Sequence, residues 1–474
     1  MTKATQTDVI IIGAGTAGLA ALKQVQKETE NFLLINEGEY GTTCARVGCM
    51  PSKLLIEAAN AYHHRHTFAE FGIQHADQLT IDIAAVFERV RHLRDYYVSS
   101  TLSSVRDIED KVITGRACLK GPNTISVNDQ LITAKKIIIA TGSRPIVPAD
   151  WEQIGDKKIL TTNTLFEQKN LKPRMAVIGL GAIGIEMAQA LSRLGIKVTA
   201  FGAESLLAGL TDKKVSDALK QALAEEFDIF TEAKADLIET ETGVKVVSEH
   251  NEVEVDQVLV AVGRRPNLDG MGLNTLDVSL DDKGMPEINP NSTQVEGTAV
   301  FIAGDASANK MLLHEVADEG RIAGHNVVSD GINAYCRRTP LSVVFSEPGS
   351  AMVGLSYAEL DEQNIVIGEV DYADQGRARA AQRNKGLMRI YLDKESGKLL
   401  GAEMACPAAE HMAHTLALAL SQELTATQVL AMPIYHPVLE EGMRTALRHA
   451  NKQLQASHGF DLSRCDAFQA EALD

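Results

Sequence analysis

Cysteine and tryptophan are scarce here: six cysteines and one tryptophan in 474 residues, with aromatics at 5%. So few thiols cannot staple a chain of this length, which excludes a disulfide scaffold of the secreted kind. The expected compartment is a reducing one, the cytoplasm, and any disulfide is expected to be catalytic. Long apolar runs are also missing. Stretches such as Val9–Ile12 and Ile137–Ala140 fall far short of the roughly 20 residues that span a bilayer. The first run follows Lys3 as a leader would, but Gly13, Gly15 and Gly18 interrupt it, and it reads as a buried strand. There is no basic excess: 46 Lys and Arg face 63 Asp and Glu, a formal charge of −17. That excludes a phosphate-neutralising nucleic-acid face and an anionic membrane surface as partners.

What is present is an ordinary globular balance, 45% apolar and 23% charged, over a length that suits about three domains of roughly 150 residues. Asp8–Ile12 is apolar and runs into Gly13-Ala14-Gly15-Thr16-Ala17-Gly18, a helical pattern from Leu19, and a second strand at Phe32–Ile35. The same order recurs: Met175–Ile178, then Gly179-Leu180-Gly181-Ala182-Ile183-Gly184, a helix to Leu194, and a strand at Lys197–Phe201. A lone G-x-G-x-x-G often marks a plain turn. Two copies, each between a strand and a helix, predict two dinucleotide sites and electron transfer between cofactors. Gly13 and Gly179 make the tight turn. Gly15 and Gly181 let a pyrophosphate approach the helix N-terminus, and Gly18 and Gly184 let helix and strand pack. The slot for the acid that would meet a ribose is Asn36 or Glu37 in the first unit, and Glu37 could reach a 2′-hydroxyl. In the second unit Gly202 offers none, and no Arg follows it, so NAD is favoured with NADP left open.

Between the units, Thr80–Val105 predicts a long exposed helix, Lys111–Thr133 a small meander, and Lys135–Ala140 a buried strand. Asp256–Val262 and Ala299–Ala303 read as further strands. After Pro340 the order changes to strands at Ser342–Val353, Leu387–Leu392 and Leu399–Met404, then a helix at Ala408–Gln422. This predicts a separate α+β domain, with Ser457–Asp474 as a tail.

Two local patterns carry chemistry. Cys44 and Cys49 are five apart, too far to bridge within a regular helix, since a disulfide wants Cα atoms within about 7 Å. Gly48 and Pro51 would distort such a helix. A thiol at a helix N-terminus near Lys53 would be acidified and reactive. The alternative is two unrelated buried thiols. No second Cys or His pair follows at zinc-ligand spacing, so no metal is expected. His436 precedes Pro437 and is expected outside a helix, with Glu441 one turn into the next. A carboxylate orienting an imidazole suits a general base, and dithiol chemistry needs one.

With these elements in order, the chain resembles the FAD-dependent pyridine nucleotide-disulfide oxidoreductases. It resembles the lipoamide branch more than glutathione reductase. The carriers are Gly41-Thr42-Thr43-Cys44-Ala45-Arg46-Val47-Gly48-Cys49-Met50-Pro51-Ser52-Lys53, Ala140–Pro145, Gly263–Asn267, Ala303–Asp305 and His436–Glu441. The resemblance implies an α/β fold of two Rossmann-like dinucleotide-binding domains plus a C-terminal α+β dimerisation domain. The implied divisions are 1–148 and 268–340 for FAD, 149–267 for NAD(P), and 341–474 for dimerisation. It implies FAD on Gly13, Gly15 and Gly18, with Asn36 or Glu37, Thr43, Lys53, Ala117, Thr141, Gly142, Ser143, Gly304, Asp305 and Leu313 around it. It implies NAD on Gly179, Gly181 and Gly184, near Gly263. Cys44 is then the interchange thiol and Cys49 the thiol facing the flavin. His436 is the acid–base supplied by the other subunit and oriented by Glu441, and Lys53 pairs with Glu186. The implied reaction passes electrons between a dithiol, dihydrolipoamide first, and NAD. The implied assembly is a homodimer with shared sites, open to a lipoylated protein and to a 2-oxo acid dehydrogenase complex joined non-covalently.

The chain departs from the family pattern in several places. Thr42 replaces a glycine, Ala45-Arg46 replaces Leu-Asn, Asn36 and Gly202 stand where acids are usual, and Ile434 replaces a frequent histidine. Only Cys465 lies near the C-terminus, where mercuric reductase has a pair. These leave two alternatives: an NAD(P)H-dependent reductase of another small disulfide, and a non-catalytic flavoprotein subunit or redox sensor.

Overall fold

Val9–Ile12 is buried on both faces, as a central parallel strand requires. Val9 and Ile11 pack with the helices Thr16–Val25 and Leu313–Val328, whereas Ile10 and Ile12 pack with the strands behind the sheet. This is a computed structural model that describes residues 5–454. In the first sheet, strand Thr5–Ile12 lies between Phe32–Asn36 and Gln130–Ile139, both parallel to it. Val300–Ile302 pairs with the far half of Gln130–Ile139, returning a late segment to the first unit.

The second sheet is parallel throughout. Its order is Asp228–Phe230, Lys197–Phe201, Arg174–Ile178, Gln257–Val260 and Ile159–Leu160. The C-terminal sheet is antiparallel, in the order Leu341–Val344, Gly349–Gly354, Leu399–Cys406, Leu387–Asp393, Ile365–Asp371. Helices Ala409–Ser421 and Glu441–Asn451 cover it through Met412, Leu416, Met443 and Leu447.

Several expectations need correcting. The meander is only partly one: Cys118–Gly121, Thr124–Val127 and Gln130–Ile139 are antiparallel, but Val112–Thr114 joins the parallel edge beside Phe32–Asn36. Ser342–Val353 is two strands rather than one, because the chain reverses around Pro348. The strand Ile365–Asp371 was not expected at all; its Gly368 and Glu369 weaken the apolar alternation. The long helix is Ile83–Arg106, capped by Asp82, whose carboxylate accepts the Ala85 N–H. The tail Ser457–Asp474 lies outside the described residues. Among the described residues no helix is long and apolar enough to cross a membrane.

Candidate active site

The cysteine motif folds as two helices with a break between them. Thr42 caps the short helix Thr43–Val47 by accepting the Ala45 N–H at 3.1 Å, which gives the substituted glycine position a structural task. At Gly48 the backbone leaves the helix, and a Cβ there would lie 2.9 Å from the Thr43 carbonyl oxygen. The second helix, Cys49–His63, starts at once. The break brings the Cys44 and Cys49 side chains within hydrogen-bonding reach, both as thiols. The bond from Cys44, helped by Lys53, holds the Cys49 thiol down to about 7, while Cys44 is pushed well above the ordinary thiol range.

One turn along that helix, Lys53 Nζ lies 2.9 and 2.7 Å from the two carboxylate oxygens of Glu186, itself buried on the helix Ala182–Arg193. Phe345 completes the group. Its N–H donates to Glu186 Oε1 at 3.0 Å, and Lys53 Nζ stands 4.6 Å from its ring centre. Three distant segments thus hold one ion pair.

A second network ties the expected flavin segments together. Ser143 Oγ donates to Asp305 Oδ2 at 2.6 Å and accepts from Arg264 Nε at 2.8 Å; Arg264 also donates to the Ser143 carbonyl. Gly304 has φ +74° and donates its N–H to Glu319 Oε2. Leu313, half exposed, opens the helix that carries Glu319. Thr43 is exposed at the start of the short helix.

The glycine turns are near copies. A Cβ at Gly13 would sit 2.3 Å from Ala140 O, and one at Gly179 would sit 2.3 Å from Ala261 O; their φ values are +107° and +106°. A Cβ at Gly18 or Gly184 would strike the carbonyl of Gly13 or Gly179 at 1.9 or 1.8 Å. Over Gly15 and Gly181 a Cβ would meet nothing within 4 Å, so each helix N-terminus has an open cradle for a pyrophosphate. Beside the first cradle is a cavity of about 430 Å³ lined by Gly13, Asn36, Glu37, Ala117, Thr141 and Arg144. Thr141 Oγ1 is buried there and has no partner among the described residues. An orphaned hydroxyl and an open cradle fit a bound dinucleotide at this place. Asn36 closes the turn itself, accepting the Ala14 N–H at 3.0 Å, which leaves Glu37 as the carboxylate at the end of that strand; Asp269, also in the cavity lining, is paired with Arg144. Gly142 (φ +70°) has open space where a Cβ would be, and Gly263 (φ +123°) lies near Ile146.

His436 lies elsewhere. Its Nδ1 is 2.9 and 3.1 Å from the Glu441 carboxylate oxygens, so the ring N–H donates there and Nε2 is left as the acceptor. Glu441 is the first residue of its helix rather than one turn in. The bond from His436, with Val438 N–H and Arg444, holds its carboxyl below the usual range. The imidazole is 78% exposed, and among the described residues no hydrogen bond or ion pair joins it to the cysteines. One chain therefore assembles the thiol pair with Lys53 and Glu186, and separately presents His436 with Glu441 at its surface.

Sequence reasoning missed Phe345 and Arg264 and, in the lining of the first cavity, Arg116, Asn267 and Asp269. Arg264 and Asn267 stood inside a quoted motif. Phe345 had no local signal, because its partners are in other units.

Comparisons with known proteins identify the family. Residues 7–320 match the family model described as pyridine nucleotide-disulphide oxidoreductase, and residues 341–447 match that family's dimerisation domain. The chain is 31% identical to a dihydrolipoyl dehydrogenase of Thermus scotoductus, over 94% of this chain and 98% of that protein. It is 30% identical to one from Geobacillus stearothermophilus, over 92% and 95%. Among solved structures, the Cu(II) complex of the HOCl-induced flavoprotein disulfide reductase RclA from Escherichia coli shares the fold. The TM-score is 0.82 at 22% identity, covering 94% of this chain and 99% of that one. LpdA from Mycobacterium tuberculosis superposes with a TM-score of 0.80 at 23% identity, covering 94% and 99%. The chain belongs to the pyridine nucleotide-disulphide oxidoreductases, flavoprotein oxidoreductases that use FAD and NAD(P), and carries their dimerisation domain.

Proposed function

We propose that this protein passes electrons between a dithiol, dihydrolipoamide first, and NAD, with Cys44 and Cys49 as its redox pair. The observation that carries this reading is the pair of thiols that the Gly48 break sets on either side of it, one of them opening the helix that bears Lys53. Bound FAD, in the cradle of Gly13–Gly18 with Asp305 and Ser143 nearby, would supply the two-electron relay between the thiols and the nicotinamide. In the oxidised form of the pair, His436 Nε2 of the partner subunit takes the proton of a substrate thiol. Glu441 stabilises the resulting imidazolium. The substrate thiolate attacks Cys44 Sγ, the Cys44–Cys49 bond breaks, and Cys49 leaves as a thiolate. Its low pKa makes it a good leaving group, and Lys53 favours its charge. The second substrate thiol then gives its proton to solvent and displaces Cys44, which leaves with the proton held by His436, and the substrate disulfide is complete. The substrate is oxidised by two electrons and the cysteine pair is reduced by two. The cytoplasm is the compartment this chemistry expects.

A second reading, an NAD(P)H-driven reductase of another small disulfide, is favoured by Arg46. This cation, absent from the family pattern, stands between the two cysteines and is tied to Glu39. A panel of dithiols and disulfides with NAD and NADP, followed by the flavin spectrum, separates the two. Turnover of reduced lipoamide above all other thiols supports the first reading. No lipoamide turnover, with rapid NAD(P)H-driven reduction of another disulfide, replaces it with the second.

A further inference from the structure

We infer that Gln189 is a positioning residue for the Lys53–Glu186 pair, acting through the segment Phe345–Glu347. This rests on the proposed site, because it assigns the supporting contacts of that site's ion pair. Gln189 is buried on the helix Ala182–Arg193, one turn beyond Glu186. Its Oε1 accepts the Glu347 N–H at 2.8 Å, while its Nε2 donates to the Glu347 carbonyl at 2.8 Å and to Glu226 Oε1 at 2.8 Å. Every donor of the amide is used, and both backbone groups of Glu347 are held by one side chain. Two residues earlier, the Phe345 N–H holds Glu186 and the Phe345 ring lies against Lys53. The segment therefore lies along the helix, fixed at one end by Gln189 and fixing the ion pair at the other.

Only an amide supplies the whole set; a neutral carboxylic acid, with one donor, keeps the two bonds to Glu347 and gives up the one to Glu226. Leucine would leave the Glu347 N–H and carbonyl without their partner. An ionised glutamate would face both the Glu347 carbonyl and Glu226. A protonated glutamate would again accept from the Glu347 N–H and donate to its carbonyl. The charged groups around the position are Glu186 and Arg193 on its own helix and Glu226 before strand Asp228–Phe230. Glu347 lies on the facing segment, paired there with Arg383, which in turn bonds His64; His63 on the cysteine helix stands 3.9 Å from Glu226.

The test uses the full-length, FAD-loaded protein with Gln189→Leu and Gln189→Glu. FAD content and thermal melting report folding. Dithiol-dependent NAD reduction is followed from pH 8 to 6, and iodoacetamide alkylation of the reduced protein, read at the Cys49 peptide by mass because Cys336 is also an exposed thiol, reports the Cys49 titration without any substrate. Gln189→Leu is expected to lower kcat roughly tenfold with the NAD KM unchanged and to move the alkylation midpoint, with a deficit that does not lessen as the pH falls. Gln189→Glu is expected to show the same loss at pH 8 and to recover several-fold relative to wild type as the pH falls. Variants within twofold of wild type, or a Gln189→Glu deficit that stays constant with pH, would overturn the inference. A wild type inactive towards every dithiol would instead remove the proposed function and leave the alkylation result to stand alone.

Discussion

Cys49 is where single-residue physics decides most. Its thiol is held at about 7 by the bond from Cys44 and by Lys53. A lowered thiol pKa means thiolate above that value and thiol below it. Alkylation of the reduced protein should therefore rise through about pH 7, with Cys44 reacting only in more alkaline solution. Lys53→Met removes one attraction and leaves Glu186 unpaired; both changes should raise the midpoint, and a midpoint that falls would refute the electrostatic account. Cys49→Ser should keep FAD and lose dithiol-dependent NAD reduction. Full turnover by that variant would sink the thiol mechanism. His436→Ala should lower turnover by about 10²–10⁴, the usual span for a positioned acid–base, with Glu441→Gln following part of the way.

At the scale of elements, the second glycine turn explains a departure that the sequence only registered. Gly202 ends strand Lys197–Phe201 where an acid would meet a ribose, and a Cβ there would lie 2.7 Å from Leu180 Cδ1 and 2.8 Å from Leu180 Cγ. Leu180 is the middle residue of the Gly179-Leu180-Gly181 turn, so its side chain occupies the space that the acid would need. Gly202→Glu by itself is thus expected to leave the ratio of NAD to NADP activity almost unchanged. Combined with Leu180→Ala, it should shift that ratio towards NAD. A large NAD gain from the single substitution would show that Leu180 moves aside freely.

At the scale of the molecule, the exposed His436 and the thiol pair make sense if each site takes its imidazole from the other subunit. Cys44→Ser and His436→Ala should each be nearly inactive alone. Random reassortment of equal amounts makes about half the dimers mixed, each with one site free of lesions, so roughly a quarter of wild-type activity should return. If mixed dimers are verified by mass and no activity returns, each site is built within one chain.

The sequence by itself determined the two glycine turns, the thiol pair, the His436–Glu441 dyad and the succession of units. Each is encoded within a few residues: a strand, a turn that only glycine can make, a helix N-terminus, or a thiol five residues from another. The tertiary structure alone decided that Phe345 and Gln189 support the Lys53–Glu186 pair, that Arg264 bridges Ser143 and Asp305, and that Leu180 fills the slot beside Gly202. It also decided the register in which Val300–Ile302, inside the second FAD segment that the resemblance implies, pairs with Gln130–Ile139. These contacts join residues more than a hundred positions apart, or side chains whose directions depend on how sheets and helices pack. Local propensity and periodicity carry no information about such pairings; they appear only when burial of the separate cores fixes the units against one another.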